Sequence, residues 1–269
     1  MSEIEQASSA AVAYPAEANK AMIEAGVFYG RTKSKSNPKM KHFVLANRAG
    51  IEIINLSKTA EALEAAMGFL SEKVRQGGLV MLVGTQPAAE RHIEEIAKKF
   101  GLPYANRGWS GGTITNFKII SKRVEYLKKL RRDFASGALD KYTKKERVDL
   151  EKEMKRLEEL FCGLEELAKE PDVVVMIDPN THLTALREAN TLKIPVVALG
   201  NVDSDPDLIS HLVPGNDKSQ KSMNWFLANV EAAIAKGMAM RAADVVKNAE
   251  EAVKRAEAEA KSQTEGAKK

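Results

Sequence analysis

The sequence predicts an α/β protein: a parallel sheet covered on both faces by helices and interrupted by an inserted helical hairpin. Three observations predict it. Apolar, β-branched runs such as LVMLVG (79–84), DVVVMID (172–178) and IPVVALG (194–200) alternate with helical patterns, and strands joined through helices make a parallel sheet. Residues 113–169 break that rhythm with helical pattern alone. Hydrophobic residues make up 44% of the 269, enough for a sizeable core.

In chain order, residues 1–15 read as a loose, small-residue arm. A short helix over 16–25 ends at Gly26. The stretch GVFYGRTKSKSNPKMKHF follows, with Arg31, Lys33, Lys35, Lys39 and Lys41 and no acidic residue between them. Its Gly30, Asn37 and Pro38 predict a loop. IEIINL (51–56) reads as a strand before a helix over 58–75. LVMLVG is a strand before a helix over 87–100, which carries Pro87 in its first turn. PYAN (103–106) is a short strand. DVVVMID precedes a helix over 181–192, IPVVALG is the next strand, and HLVP (211–214) the last, before a helix over 217–236. Residues 237–269 are rich in Ala, Glu and Lys. They are helical only in part and, lacking a wide apolar face, are predicted to fray into solvent.

Within 113–169 the apolar positions Phe117, Ile120, Val124 and Leu127 step by three, four and three. Leu150, Met154, Leu157, Phe161 and Leu164 step by four, three, four and three. That period of 3.5, broken near SGALDKYT (136–143), predicts two arms paired as an antiparallel coiled coil. The other faces are charged, so the hairpin projects. The expected organisation is an α/β domain from 16–112 and 170–236, with the hairpin 113–169 inserted between them.

Composition excludes several functions. A single cysteine, Cys162, allows neither an intramolecular disulfide nor a cysteine pair for zinc, which fits a reducing cytoplasm. Cys162 reads as a small buried residue. No run reaches the roughly 18 apolar residues of a membrane span, and MSEIEQASSA lacks the basic start and apolar run of a secretory signal. The expectation is a soluble, cytoplasmic protein. The formal net charge of +4 is too mild to demand nucleic acid by itself.

Catalytic signals are weak. Gly84-Thr85-Gln86 could cradle a phosphate on backbone N–H groups, but neither GxGxxG nor GxxxxGKS is present. Asp178, Asp203, Asp205, Asp207 and Asp217 cluster near strand ends, where they suit Mg²⁺ or, equally, turns and caps. His42, His92, His182 and His211 lack metal-site spacing, and no GxSxG occurs. A sugar-phosphate or nucleotide enzyme built on these strand ends is the alternative function, and a hairpin adaptor that binds only protein is a third. No cofactor, metal or small-molecule substrate is expected.

Binding signals are stronger. ANRGWSGGTITNF (105–117) places Arg107, Trp109, Gly111, Gly112, Thr115 and Asn116 at the mouth of the hairpin. Lys118, Lys122, Arg123, Lys128, Lys129, Arg131 and Arg132 follow against a single acid, Glu125, before Asp133. Such a run is often only a solvated face. Beside the basic stretch 31–41 and a Trp-Gly loop, it points to RNA. Lysines neutralise phosphates, glycines let backbone approach the chain, and Arg107 and Trp109 pair or stack. The candidate RNA-binding residues are Arg31, Lys33, Lys35, Asn37, Lys39, Lys41, Arg107, Trp109, Gly111, Gly112, Thr115, Asn116, Lys118, Lys122 and Arg123. Trp109 has a second reading, as a plug packed under the hairpin base.

Three stretches together resemble the bacterial small-subunit ribosomal protein S2 family. They are Gly26-Val27-Phe28-Tyr29-Gly30 with Asn37-Pro38-Lys39-Met40; Trp109, Gly111, Gly112, Thr115, Asn116 and Phe117; and Ile194-Pro195-Val196-Val197 with Asp205-Pro206 and Pro214-Gly215-Asn216-Asp217. The match spans about residues 16–236. The resemblance implies a flavodoxin-like three-layer sandwich with a protruding hairpin. It implies a place between head and body on the solvent side of the small subunit, bound to 16S rRNA and neighbouring ribosomal proteins. It also implies a part in anchoring ribosomal protein S1, and no catalytic duty. This chain departs from the family at Phe28 and Arg31, where histidines are usual. It departs too at Gly108, where arginine is usual with Arg107 now one step earlier; at Asn201-Val202-Asp203; and at Lys218, where an aspartate is usual. Arg31 and Lys218 add positive charge, and the missing histidines argue against zinc.

Overall fold

The computed structural model describes residues 16–139 and 142–266, and side chains over 20–139 and 142–247. The arm expected over 1–15 lies outside the described residues. The first helix, α1 (Ala16–Ala25), packs its Met22 with Val27 and Ala60. The main sheet has five strands: β4 (Val80–Val83), β5 (Tyr104–Ala105), β6 (Val173–Ile177), β7 (Val196–Gly200) and β8 (His211–Pro214). They are ordered β5-β4-β6-β7-β8, and every neighbouring pair is parallel. Counted along these five, that is order 2-1-3-4-5, consistent with a flavodoxin-like fold.

Strand alternation sorts the core into two layers. Val80, Leu82, Val173, Val175, Val197 and Leu199 face α2 (Leu56–Arg75), α3 (Pro87–Phe100) and α7 (Gln220–Gly266). Met81, Val83, Val174, Met176, Val196 and Ala198 face α6 (Leu183–Thr191) and residues of α4 (Phe117–Ala135) and α5 (Lys144–Phe161). Buried on both faces, these strands read as unbroken apolar runs, so periodicity alone could not assign a side to each residue.

Two features differ from expectation. First, Ile51–Ile54 is β3 of a separate antiparallel sheet, ordered β1-β3-β2, with β1 (Tyr29–Thr32) and β2 (Val44–Arg48). The supposed loop thus opens with a strand and continues through 3₁₀ turns at Lys33–Lys35 and Pro38–Phe43. Positive φ at Ala49 (50°) and Gly50 (81°) makes the tight β2–β3 connection. The alternation is hidden because β2 is largely exposed and β1 is short and glycine-containing.

Second, α7 runs through position 237 without a break. Gly237 is no terminator: a Cβ there would lie 2.5 Å from the Ser71 carbonyl oxygen and 2.7 Å from Val74 Cβ. The glycine marks where α7 crosses α2 at backbone distance. Beyond it, Asp244 pairs with Arg75 at 2.6 Å.

α4 and α5 pack on each other. Ile120, Val124, Leu127, Leu130, Leu157, Phe161 and Leu164 are buried, with Phe117, Leu150 and Met154 packed against the same cluster. A Thr143–Glu146 capping box starts α5. Arg131 bridges the helices to Glu158 (2.7 Å) and Glu165. No helix among the described residues is long and apolar enough to cross a membrane.

Candidate nucleic-acid interface

The segment 107–116 leaves the sheet after β5 and delivers the chain to α4. It is organised by one carboxylate from α6. Glu188 Oε1 accepts from the Trp109 indole N–H (3.0 Å) and the Gly112 amide (2.8 Å). Its Oε2 accepts from the Ile114 amide (3.1 Å), the Thr115 amide (3.3 Å) and the Thr115 hydroxyl (3.2 Å). Gly112 at φ 87° curls the backbone so that these amides converge. Burial alone raises a carboxyl pKa, but the Trp109 indole and the three amides outweigh it and hold Glu188 below the ordinary value. Trp109 is half-buried against the core cluster, while Gly111, Thr115 and Asn116 are exposed. The loop's most converged N–H groups therefore serve an internal anion. Arg107 donates to Glu90 at 3.0 Å.

The basic stretch divides in two. Arg31 is drawn inward to Asp203 (3.2 Å) and to the fully buried Asp217 (3.0 Å). Lys39 pairs with Asp205 at 3.0 Å and with Asp207. Asn37 turns the chain: its side chain accepts from the Lys39 amide (3.1 Å), and its own N–H reaches the Val202 carbonyl (2.8 Å). Lys33, Lys35 and Lys41 are exposed, and none is in an ion pair among the described residues. On α4, Lys118, Lys122 and Arg123 are likewise exposed and unpaired among the described residues. Lys118 and Lys122, one turn apart, lie opposite the buried Ile120, Val124 and Leu127. Lys128, by contrast, donates to the Glu165 carbonyl.

The carboxyl ends of the parallel strands, where ligands bind in such sheets, are filled by the chain itself. The Gly84 amide bonds the Ala105 carbonyl (3.0 Å), and the Thr85 amide bonds His182 Nε2 (3.2 Å). Burial lowers the His182 pKa, as suits a neutral ring accepting through Nε2. Asp178, at φ 54°, accepts from Gln86 (2.8 Å) and the Thr181 hydroxyl (2.8 Å), and pairs with Lys218. Burial opposes its charge, yet the Lys218 ammonium and Thr181 keep its pKa low. Asp217 differs. Burial first, and the Asp178 charge second, push it to about 6, against Asn201, Arg31 and Lys218. Among the described residues no cluster of three or more His, Cys, Asp or Glu side chains is arranged to hold a metal ion.

Sequence reasoning missed Glu188 and the inward pairing of Arg31 and Lys218. Glu188 lies in LREANT, which carries no local sign of its role. The partners of Arg31 are 172 and 186 residues away.

Residues 22–237 match the family model described as Ribosomal protein S2. Small ribosomal subunit protein uS2 of Thermus thermophilus is 41% identical over 209 residues, covering 78% of this chain and 82% of the relative. That of Dictyoglomus thermophilum is 38% identical over 222 residues, covering 82% and 90%. These relatives are ribosomal proteins, not enzymes, and the strand-end enzyme alternative finds no support.

Proposed function

The chain belongs to the ribosomal protein S2 family, and from that premise we propose that it is a structural constituent of the small ribosomal subunit. It binds 16S rRNA between head and body on the solvent side, contacts neighbouring ribosomal proteins, and helps anchor ribosomal protein S1 in the cytoplasm. The observation that carries the RNA reading is the set of exposed cations without an ion pair among the described residues: Lys33, Lys35 and Lys41 on one segment, and Lys118, Lys122 and Arg123 on α4, which begins just after the Trp109 loop. Cations held ready for an anionic partner suit contact with the sugar-phosphate backbone rather than a base code.

We read α4 and α5 as the two arms of an antiparallel coiled coil inserted at 113–169 into the sandwich formed by 16–112 and 170–236. The buried seam and the flanking Arg131 pairs support that reading. The test is sedimentation of the tagged protein from its own cells in magnesium buffer. Comigration with the small subunit, lost only in high salt, is expected. Recovery only in the soluble fraction overturns the reading.

A further inference from the structure

Five donors from one loop converge on a single carboxylate, and the loop is the one from which the hairpin springs. Trp109, Gly112, Ile114 and Thr115 all lie within the eight residues before α4 begins, whereas Glu188 sits on the helix that packs against β6 and β7. The chain enters the hairpin through 107–116 and leaves it through 162–172, and the inner turns of α4 and α5 pack in the same core cluster as β4, β6 and β7. That packing seats the base of the hairpin without setting its direction; Glu188 fixes the entering connection. The residue is only 8% exposed, so water does not compete effectively for its oxygens.

We propose that Glu188 is a positioning residue: an internal anion, filling a nest of loop N–H groups, that sets the direction in which the hairpin and its basic stripe leave the sheet. The inference rests on the RNA-binding reading only for its consequence, not for its geometry. If Lys118, Lys122 and Arg123 meet rRNA together with Lys33, Lys35 and Lys41, the two groups of cations must be held at a fixed spacing. Preorganising them removes an ordering cost from binding. The same nest, being filled from within, is closed to a phosphate of the RNA backbone. The loop thus acts on RNA through the helix it aims, and the cations on that helix touch the phosphates.

The test uses the full chain with Cys162→Ala and nitroxide labels at Glu61→Cys on α2 and Lys152→Cys on α5, both exposed positions. Glu188→Gln is nearly isosteric, yet its amide turns an NH₂ toward one set of loop donors, so one row of bonds must break. The expected result is a broadened label-to-label distance distribution by pulsed electron resonance. Hydrogen-exchange protection should be lost at Gly112, Ile114 and Thr115 and kept at Val175 and Val197 in the sheet. Glu188→Asp, which keeps the charge on a shorter arm, should fall between. rRNA affinity of Glu188→Gln should drop about tenfold with the phosphate-contacting residues intact. An unchanged distribution with a protected loop overturns the proposal. So does loss of protection throughout the sheet in both variants, which makes Glu188 a residue of the core fold rather than of hairpin direction. Failure of the wild-type chain to bind rRNA sinks the functional reading alone and leaves the distance result standing.

Discussion

The Trp109 indole N–H donates to Glu188 Oε1 at 3.0 Å across a sequence separation of 79 residues. The bond gives the indole a partner on the protein. It fits the plug-like reading of Trp109, with the ring half-buried against the core cluster and its polar edge satisfied. Trp109→Phe keeps most of the ring and deletes the donor. A hydrogen bond to a charged, poorly hydrated group contributes about 1.5–3 kcal/mol, and the denaturant midpoint should fall accordingly. A midpoint equal to the wild type means the bond contributes nothing.

The buried carboxylates predict pH dependence of opposite sign. Asp217 has a folded pKa of about 6, raised by burial above its ordinary 3.8. A raised pKa favours the protonated folded form, so its contribution is full below about 3.8 and is lost as pH rises through about 6. Glu188 is lowered, so its contribution is present above the ordinary carboxylate pKa and lost as pH falls through the folded value. In urea titrations, Asp217→Asn should remove the downward slope of stability with rising pH in the first window. Identical slopes for variant and wild type would show that Asp217 does not titrate there.

How much of this was legible depends on the range of the interaction. β4, β6, β7 and β8 were readable because each is a compact apolar run between helical patterns, a signal within ten residues. The seam of α4 and α5 was readable because its period is local to each helix. Arg107, Trp109 and the Gly111-Gly112 pair stood out by type. Glu188 did not, since a glutamate in a short helix looks like any solvated glutamate until the loop is brought against it. Arg31 and Lys218 read as surplus positive charge for the same reason: their carboxylates arrive from elements remote in sequence or across the strand ends.

That inward pairing changes which lysines to mutate. Reversing Lys33, Lys35 and Lys41 to glutamate should weaken rRNA binding and flatten its dependence on salt by about one unit of log–log slope for each phosphate no longer neutralised. Lys39→Ala should change the salt slope less, because its ammonium already faces Asp205 and Asp207. Filter binding across a salt series compares them. Equal effects of the triple reversal and of Lys39→Ala would contradict the division.

The apolar contact between α4 and α5 carries its own expectation. Leu127 is fully buried, and Leu157 and Phe161 lie in the same cluster on the facing helix. Leu127→Ala should destabilise the protein by about 2–5 kcal/mol through reduced burial and a residual cavity. Lys152→Ala, on the charged face, should leave stability near the wild type, since its nearest acid, Asp149, is 3.9 Å away and exposed. Thermal unfolding distinguishes the two. Equal small effects would mean that the helices are not held together by their apolar seam.

Gly237 tests the continuity of α7. In an ordinary helix interior, glycine to alanine favours the helix by up to about 1 kcal/mol, because the glycine loses more backbone freedom on folding. Here the added methyl meets the Ser71 carbonyl and Val74 at distances that real side chains do not adopt, and both neighbours belong to a packed helix. Overpacking of that kind costs about 1–3 kcal/mol, so the steric term wins and Gly237→Ala should lower the melting temperature. The strain should also loosen the Arg75–Asp244 pair about two turns further along, because α7 must lift away from α2 to admit the methyl. A raised melting temperature would instead mean that α7 ends its contact with α2 before Gly237, as a helix terminating at that glycine requires.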